Sequence, residues 1–238
     1  MNRALIFAGG KGTRMHIGDR PKQFLEIDNK AIIIYTLEKF QECDLVDDIV
    51  VVCVGGWEDY LAGLISKNDM KLTKVSKILT GGETGFSSRI IGLEYIKRTS
   101  ADPENDLVLI HDGVRPLISS ELLKDNVKCA LQNGNAITTA SATETVVVVD
   151  NGLFLERSSC FFARAPQTFR VNDIYNAYKK ASLEGKDCLI DSASIANYYG
   201  IDLHYVNGPN ENIKITTIND YYLAKGIIEY LNKDLGND

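Results

Sequence analysis

Short, continuously apolar runs alternate with longer segments of helical period along most of the chain. Residues 4–8, 48–54, 74–79 and 106–110 read as strands, and 32–41, 58–67, 87–97 and 119–132 as helices. The β-branched runs are too short for helices and too uniformly apolar for strands with one wet face. They therefore predict a mostly parallel, mixed sheet with helices on both faces, an α/β layered fold. After residue 134 the rhythm changes. Residues 135–142, 145–149 and 153–157 are strand-like with little helix between them, and Asp150-Asn151-Gly152 is a hairpin turn signal. This excursion reads as a β-arm at about 143–165, projecting from the main sheet. Helices resume at 171–184, 191–199 and 218–233, the last announced by Thr217 with Asp220 three residues on. Without a repeat, a low-complexity tract or a linker, the expectation is one domain over 1–238.

Charge then narrows the function classes. Lys and Arg number 26 against 32 Asp and Glu, a net charge of −6, which argues against a nucleic-acid binder. No stretch approaches the roughly 18 apolar residues of a membrane span, and the apolar run at 4–8 is too short for an export signal. The five cysteines (Cys43, Cys53, Cys129, Cys160, Cys188) include no CxxC pair. They read as buried, reduced thiols of a cytoplasmic protein rather than zinc ligands or disulfides.

One loop departs from that acidic average. Directly after the first strand comes Ala8-Gly9-Gly10-Lys11-Gly12-Thr13-Arg14-Met15-His16. Between Lys11 and Lys22 four cations (Lys11, Arg14, Arg20, Lys22) face one anion, Asp19. Glycines let backbone amides approach a ligand, and the cations surround it with charge. A single charge pair at 4 Å is worth about 4 kcal/mol at an effective dielectric of 20, before desolvation. Several such contacts can hold a polyphosphate on a protein whose net charge repels it. The loop is not a Walker A motif, because Lys11 precedes Gly12 rather than Ser or Thr. Nor is it the dinucleotide fingerprint, whose last glycine is replaced by Met15.

Two further segments carry chemistry. His111-Asp112-Gly113-Val114-Arg115-Pro116 follows a strand, where ligands of open α/β sheets bind. Asp112 is a hard oxygen ligand suited to Mg²⁺, while His111 reads as a positioned loop residue rather than a catalyst. Asn212-Ile213-Lys214-Ile215-Thr216-Thr217 enters the last helix. A lysine there opposes the helix dipole, which a negative ligand would explain.

These segments, with Pro21-Lys22-Gln23-Phe24-Leu25 and Ala165-Pro166-Gln167-Thr168-Phe169, occur in one order. Together they resemble the cytidylyltransferases that make CDP-linked polyol phosphates, a family that includes methylerythritol-phosphate and ribitol-phosphate enzymes. The resemblance runs from Ala4 to about Leu223 and implies a Rossmann-like nucleotidyltransferase fold. It implies CTP and a polyol phosphate as substrates and Mg²⁺ as cofactor. By resemblance, Ala8, Gly9, Gly10, Gly82 and Ser88 border the cytidine, within a nucleotide site that includes Lys11, Gly12 and Thr13. Gly12, Arg14 and Lys22 hold the triphosphate, with Asp112 at the metal. Thr145, Arg157 and Lys214 meet the acceptor phosphate, and Arg14, Lys22, Arg157 and Lys214 form the catalytic set. The family's arm comes from a neighbouring subunit, so a homodimer is implied.

Within the family, Ala-Gly-Gly-Lys-Gly-Thr-Arg-Met and Val114 are closer to the ribitol branch. Phe161 stands where methylerythritol enzymes carry tryptophan. Gly85 stands where the family carries arginine, with Arg89 nearby as a substitute, and Arg164 fits neither branch. The chemistry needs no general base, since a phosphate monoester is already ionised at neutral pH. Alignment of two anions and charge neutralisation suffice. A nucleotide-sugar glycosyltransferase would carry Asp-x-Asp, and no two aspartates here lie two apart. A non-catalytic nucleotide-binding regulator is the remaining rival, and pyrophosphate release separates it from the enzyme.

Overall fold

The first apolar run forms β1 (Asn2–Ala8), buried along most of its length. The structure is a computed structural model and describes residues 1–10, 20–189 and 191–234. The sites expected at Lys11, Gly12, Thr13 and Arg14 therefore lie outside the described residues. Lys22–Phe24 form a 3-10 turn. A small hairpin of β2 (Glu26–Ile27) and β3 (Lys30–Ala31) follows. It turns on Asp28 and Asn29, both left-handed, residue types whose short polar side chains tolerate that region.

The expected alternation comes next: α1 (Ile32–Glu42), β4 (Asp48–Cys53), α2 (Glu58–Lys67), β5 (Val75–Thr80), α3 (Gly85–Thr99), β6 (Leu107–Asp112) and α4 (Ser120–Asn133). β7 (Asn135–Ser141) then leads to a hairpin of β8 (Val147–Val148) and β9 (Leu153–Phe154). The rest is β10 (Phe161–Arg170), α5 (Val171–Leu183), α6 (Ser192–Tyr198), β11 (Tyr205–Asn207) and α7 (Ile218–Asp234).

Seven strands form one sheet in the order β11-β7-β10-β6-β1-β4-β5. β1 pairs in parallel with β4 and β6, as β4 does with β5. β10 runs antiparallel to both β6 and β7. Successive strand residues point to opposite faces, and the core divides accordingly. Ile6 and Val51 pack under α1 and α4 with Leu37, Phe40, Leu123 and Val127. Leu5, Val50 and Val52 pack under α3 and α5 with Leu93, Ile96, Ile174 and Tyr178. A smaller cluster of Val114, Ile215, Ala224 and Ile228 ties α7 to the loop after β6.

The structure departs from the sequence expectations at several points. β10 was missed, because Pro166 interrupts its apolar pattern and proline normally argues against an inner strand. Its register shifts between Ala163 and Gln167, around that proline, so the ladder accommodates it as an irregularity. The arm strands are shorter than 145–149 and 153–157. Thr145 lies in irregular backbone, and Arg157 begins a 3-10 turn, Arg157–Ser159. His111 belongs to β6 and is buried rather than displayed on a loop. All five cysteines are free, but only Cys43 and Cys53 are buried.

Candidate active site

The parallel register brings four strand ends to one level. Phe7 of β1 pairs with Asp112 of β6, Ala8 with Cys53 of β4, and Cys53 with Thr80 of β5. Just beyond these ends opens a cleft of about 820 Å³, bordered by Ala8, Gly9, Gly10, Lys22, Gly82 and Ser88 among others. A smaller cavity of about 180 Å³ adjoins it toward β10. The two share Phe7, Arg89, Asp112 and Lys214.

At the glycine-rich end, Ser88 is buried and organises its neighbours. Its Oγ accepts from the Gly82 N–H at 3.1 Å and donates to the Thr84 carbonyl at 2.8 Å. A methyl group on Gly9 would sit 3.3 Å from that same Oγ, a tight contact that Ser88 would have to yield to by a few tenths of an ångström. Thr84 caps α3 in a reciprocal box with Ser87, and this helix N-terminus borders the cleft. Free amides at such a terminus suit an anion.

Lys22 is placed by its neighbours on either side. Gln23 donates from Nε2 to the Ala8 carbonyl at 2.6 Å, and Phe24 is fully buried against Trp57 and Tyr60. With those two fixed inward, Lys22 points into the cleft and its Nζ donates to the Ile215 carbonyl at 2.9 Å. That carbonyl belongs to the residue after Lys214, so two distant sequence motifs meet here.

The anion that explains Lys214 is Asp112. Lys214 Nζ donates to Asp112 Oδ1 at 2.7 Å, and Arg115 Nε to Asp112 Oδ2 at 2.9 Å. Arg115 also donates from Nη1 to the Asn212 carbonyl at 3.0 Å, while Asn212 Nδ2 reaches the Ala165 carbonyl at 2.8 Å. Arg115, Asn212 and Gln23 are positioning residues that no local sequence signal singles out. Each lay inside a quoted motif, but only the fold shows what it holds. Burial raises the Asp112 pKa, yet the Lys214 and Arg115 charges outweigh it and hold the carboxyl far below the ordinary range.

His111 is unsuited to proton transfer. It is buried against Phe40, its Nδ1 has no hydrogen-bond partner, and burial lowers its pKa to about 3. Asp112 opposes that shift, whereas Arg115 and Lys214 reinforce it. The unfolded chain therefore binds a proton that the folded chain refuses between about pH 6.5 and 3, so stability contributed by neutral His111 falls as pH drops through that window. About 3 kcal/mol of it should be gone by pH 4. Urea titrations at pH 7 and pH 4 should show a smaller drop for His111→Leu than for wild type, and equal drops would contradict this.

A Mg²⁺ would find one protein ligand here. Among the described residues there is no cluster of three His, Cys, Asp or Glu side chains. Asp112 uses one lone pair of each oxygen on a cation, leaving others free. That fits an ion held by one carboxylate, substrate phosphates and water, the usual Mg²⁺ arrangement in nucleotide enzymes. Thr145 and Arg157 are exposed on the arm and line neither cavity of their own chain.

Comparison with known proteins agrees over nearly the whole chain. The family model described as 2-C-methyl-D-erythritol 4-phosphate cytidylyltransferase (IspD) matches residues 3–230. A ribitol-5-phosphate cytidylyltransferase of Vibrio parahaemolyticus is 47% identical, covering 96% of this chain and 96% of its own. One from Streptococcus agalactiae is 42% identical with the same coverage of both chains. Among solved structures, the 4-diphosphocytidyl-2C-methyl-D-erythritol synthase of Anaerococcus prevotii superimposes with a TM-score of 0.79. It is 26% identical and covers 96% of both chains.

Proposed function

Because the chain belongs to the IspD cytidylyltransferase family, we propose that it transfers CMP from CTP to ribitol 5-phosphate or a closely related alditol phosphate, releasing pyrophosphate. The observation that carries this reading is the bipartite site. A glycine-lined cleft meets a smaller cationic cavity at Asp112, Lys214 and Arg89. The choice of acceptor rests on relatives named for ribitol 5-phosphate at 42–47% identity, against 26% for the methylerythritol synthase.

In this reading CTP lies along Ala8, Gly9, Gly10, Gly82 and Ser88, with its phosphates toward Lys22. An oxygen of the acceptor's phosphate attacks the α-phosphorus, a new P–O bond forms, and the bond to pyrophosphate breaks. No proton needs to move, since the acceptor's second phosphate pKa is near 6. Lys22 and Lys214 hold the two anions together and neutralise charge as it develops. Asp112 would hold a Mg²⁺, which when bound would neutralise further phosphate charge.

The arm supports a homodimer in which Thr145 and Arg157 complete the neighbouring site. Val149, Leu153, Phe154, Phe161 and Phe162 are exposed there, more apolar surface than an isolated arm would hold in water. No helix among the described residues is long and apolar enough to cross a membrane.

The deciding assay is pyrophosphate release with CTP, Mg²⁺ and a panel of pentitol and hexitol phosphates plus methylerythritol 4-phosphate. Ribitol 5-phosphate should give the highest kcat/KM. Preference for methylerythritol phosphate would reassign the acceptor, and silence across the panel would remove the catalytic reading.

A further inference from the structure

The smaller cavity contains more positive charge than its own carboxylates neutralise. It is lined by Arg89, Arg115, Arg164 and Lys214 against Asp112 and Asp191. Asp112 is occupied by Lys214 and Arg115. Asp191 is occupied too, accepting from the Ser194 N–H at 2.8 Å to cap α6 and from Gln167 Nε2 at 2.8 Å. Arg89 and Arg164 are thus left without a carboxylate at ion-pair distance among the described residues.

Their remaining contacts leave both guanidiniums able to bind. Arg89 lies over the Phe7 ring at 5.6 Å from its centroid, a face contact that uses none of its N–H groups. Arg164 spends Nη1 on the Asn210 carbonyl at 2.8 Å, one of five available donors. Burial, then the neighbouring charge of Arg115, makes the Arg164 cation less favourable, with Glu211 only partly opposing. A cation held there without a carboxylate at ion-pair distance is stabilised by an incoming anion.

Resting on the proposed function, we infer that Arg89 and Arg164 form a clamp for the acceptor's phosphate, one guanidinium from each side of the smaller cavity. The topology explains how they meet. Arg89 stands one residue beyond Ser88 on α3, at the seam of both cavities. Arg164 arrives from β10, whose antiparallel course carries its early residues to the carboxyl ends of the parallel strands. The clamp is supplied in cis, whereas Thr145 and Arg157 would come from the partner's arm. Planar guanidiniums bind phosphate bidentately, which also fixes its orientation toward the α-phosphorus.

The test compares wild type with Arg164→Gln and Arg89→Gln, using CTP and the best acceptor of the panel. Arg164→Gln should raise KM for the acceptor at least tenfold with KM for CTP within twofold. Arg89→Gln, at the seam, should raise the acceptor KM similarly and also lower kcat at least tenfold. Arg164→Lys should recover only part of the loss. Acceptor KM changed less than threefold in both glutamine variants of a working enzyme overturns the clamp.

A second readout is independent of turnover. Millimolar inorganic phosphate should raise the wild-type melting temperature by binding the folded state, against a chloride control of equal ionic strength, and the double variant should lose that rise. If wild type is inert with every acceptor, a phosphate effect that disappears in the variants sustains the clamp while the acceptor reading falls. A phosphate effect that survives in the variants, or is absent from wild type, overturns the clamp.

Discussion

Lys22→Ala should lower turnover by about 10²-fold or more at saturating CTP and acceptor, corresponding to about 3 kcal/mol of preorganised electrostatics. The size of the effect follows from how the side chain is held. The turn around it is secured by Gln23 on the Ala8 carbonyl and by buried Phe24, neither of which depends on the Lys22 ammonium. The variant should therefore fold normally, with an unchanged circular dichroism spectrum, and lose its charge at the phosphates together with its contact to the Ile215 carbonyl. Its Nζ rests on the Ile215 carbonyl, an interaction an arriving phosphate replaces with a stronger, charge-assisted one. A reduction below fivefold would remove Lys22 from the reaction.

Asp112→Asn should be more damaging to the protein as a whole. The carboxylate neutralises Lys214 and Arg115 together, and Arg115 is buried. Losing one partner leaves a buried guanidinium uncompensated, a defect of about 3–5 kcal/mol in a fully buried pair. Lys214 is 40% exposed and relaxes into solvent, so about 2 kcal/mol of lost stability is expected, all of it on the Arg115 side. Turnover should fall at least 10²-fold because Lys214 is released from its position.

The pH dependence gives an independent check on this variant. Asp112 is held below its unfolded pKa, so its contribution is complete above about pH 4 and is lost only as pH falls through the depressed folded value. Urea titrations should show the gap between wild type and variant holding from pH 7 to about 4. A gap that closes by pH 5 would mean the carboxylate is not held by those two cations.

Much of the layered sheet was legible from local pattern, for a physical reason. Strands buried on both faces must be apolar throughout, and the helices between them must carry one apolar stripe. The glycine loop was likewise recognisable, because glycines let a backbone approach a ligand or a neighbouring loop closely, as Gly9 approaches Ser88. β10 was illegible for the converse reason. Its proline and arginine break any strand period, and they are accommodated only because neighbouring strands supply the ladder around the irregularity. The arm was recognised as an excursion, but its strands proved short. A two-residue ladder has no signature that distinguishes it from the extended chain around it.

The motifs state which chemical groups are available, and that much is a property of the residues alone. Lysines beside glycines after a strand imply an anion, and Asp112 after a strand implies a ligand edge. Which group answers which is settled by the folded chain. Lys214 finds Asp112 across 102 positions, Lys22 finds Ile215 across 193, and Arg89 and Arg164 share a cavity because β10 runs against its neighbours. Local sequence encodes propensity and charge over a few residues, whereas charge compensation acts over a few ångströms of space. Only the sheet's register converts the one into the other, pairing some cations with carboxylates and leaving two arginines for a substrate.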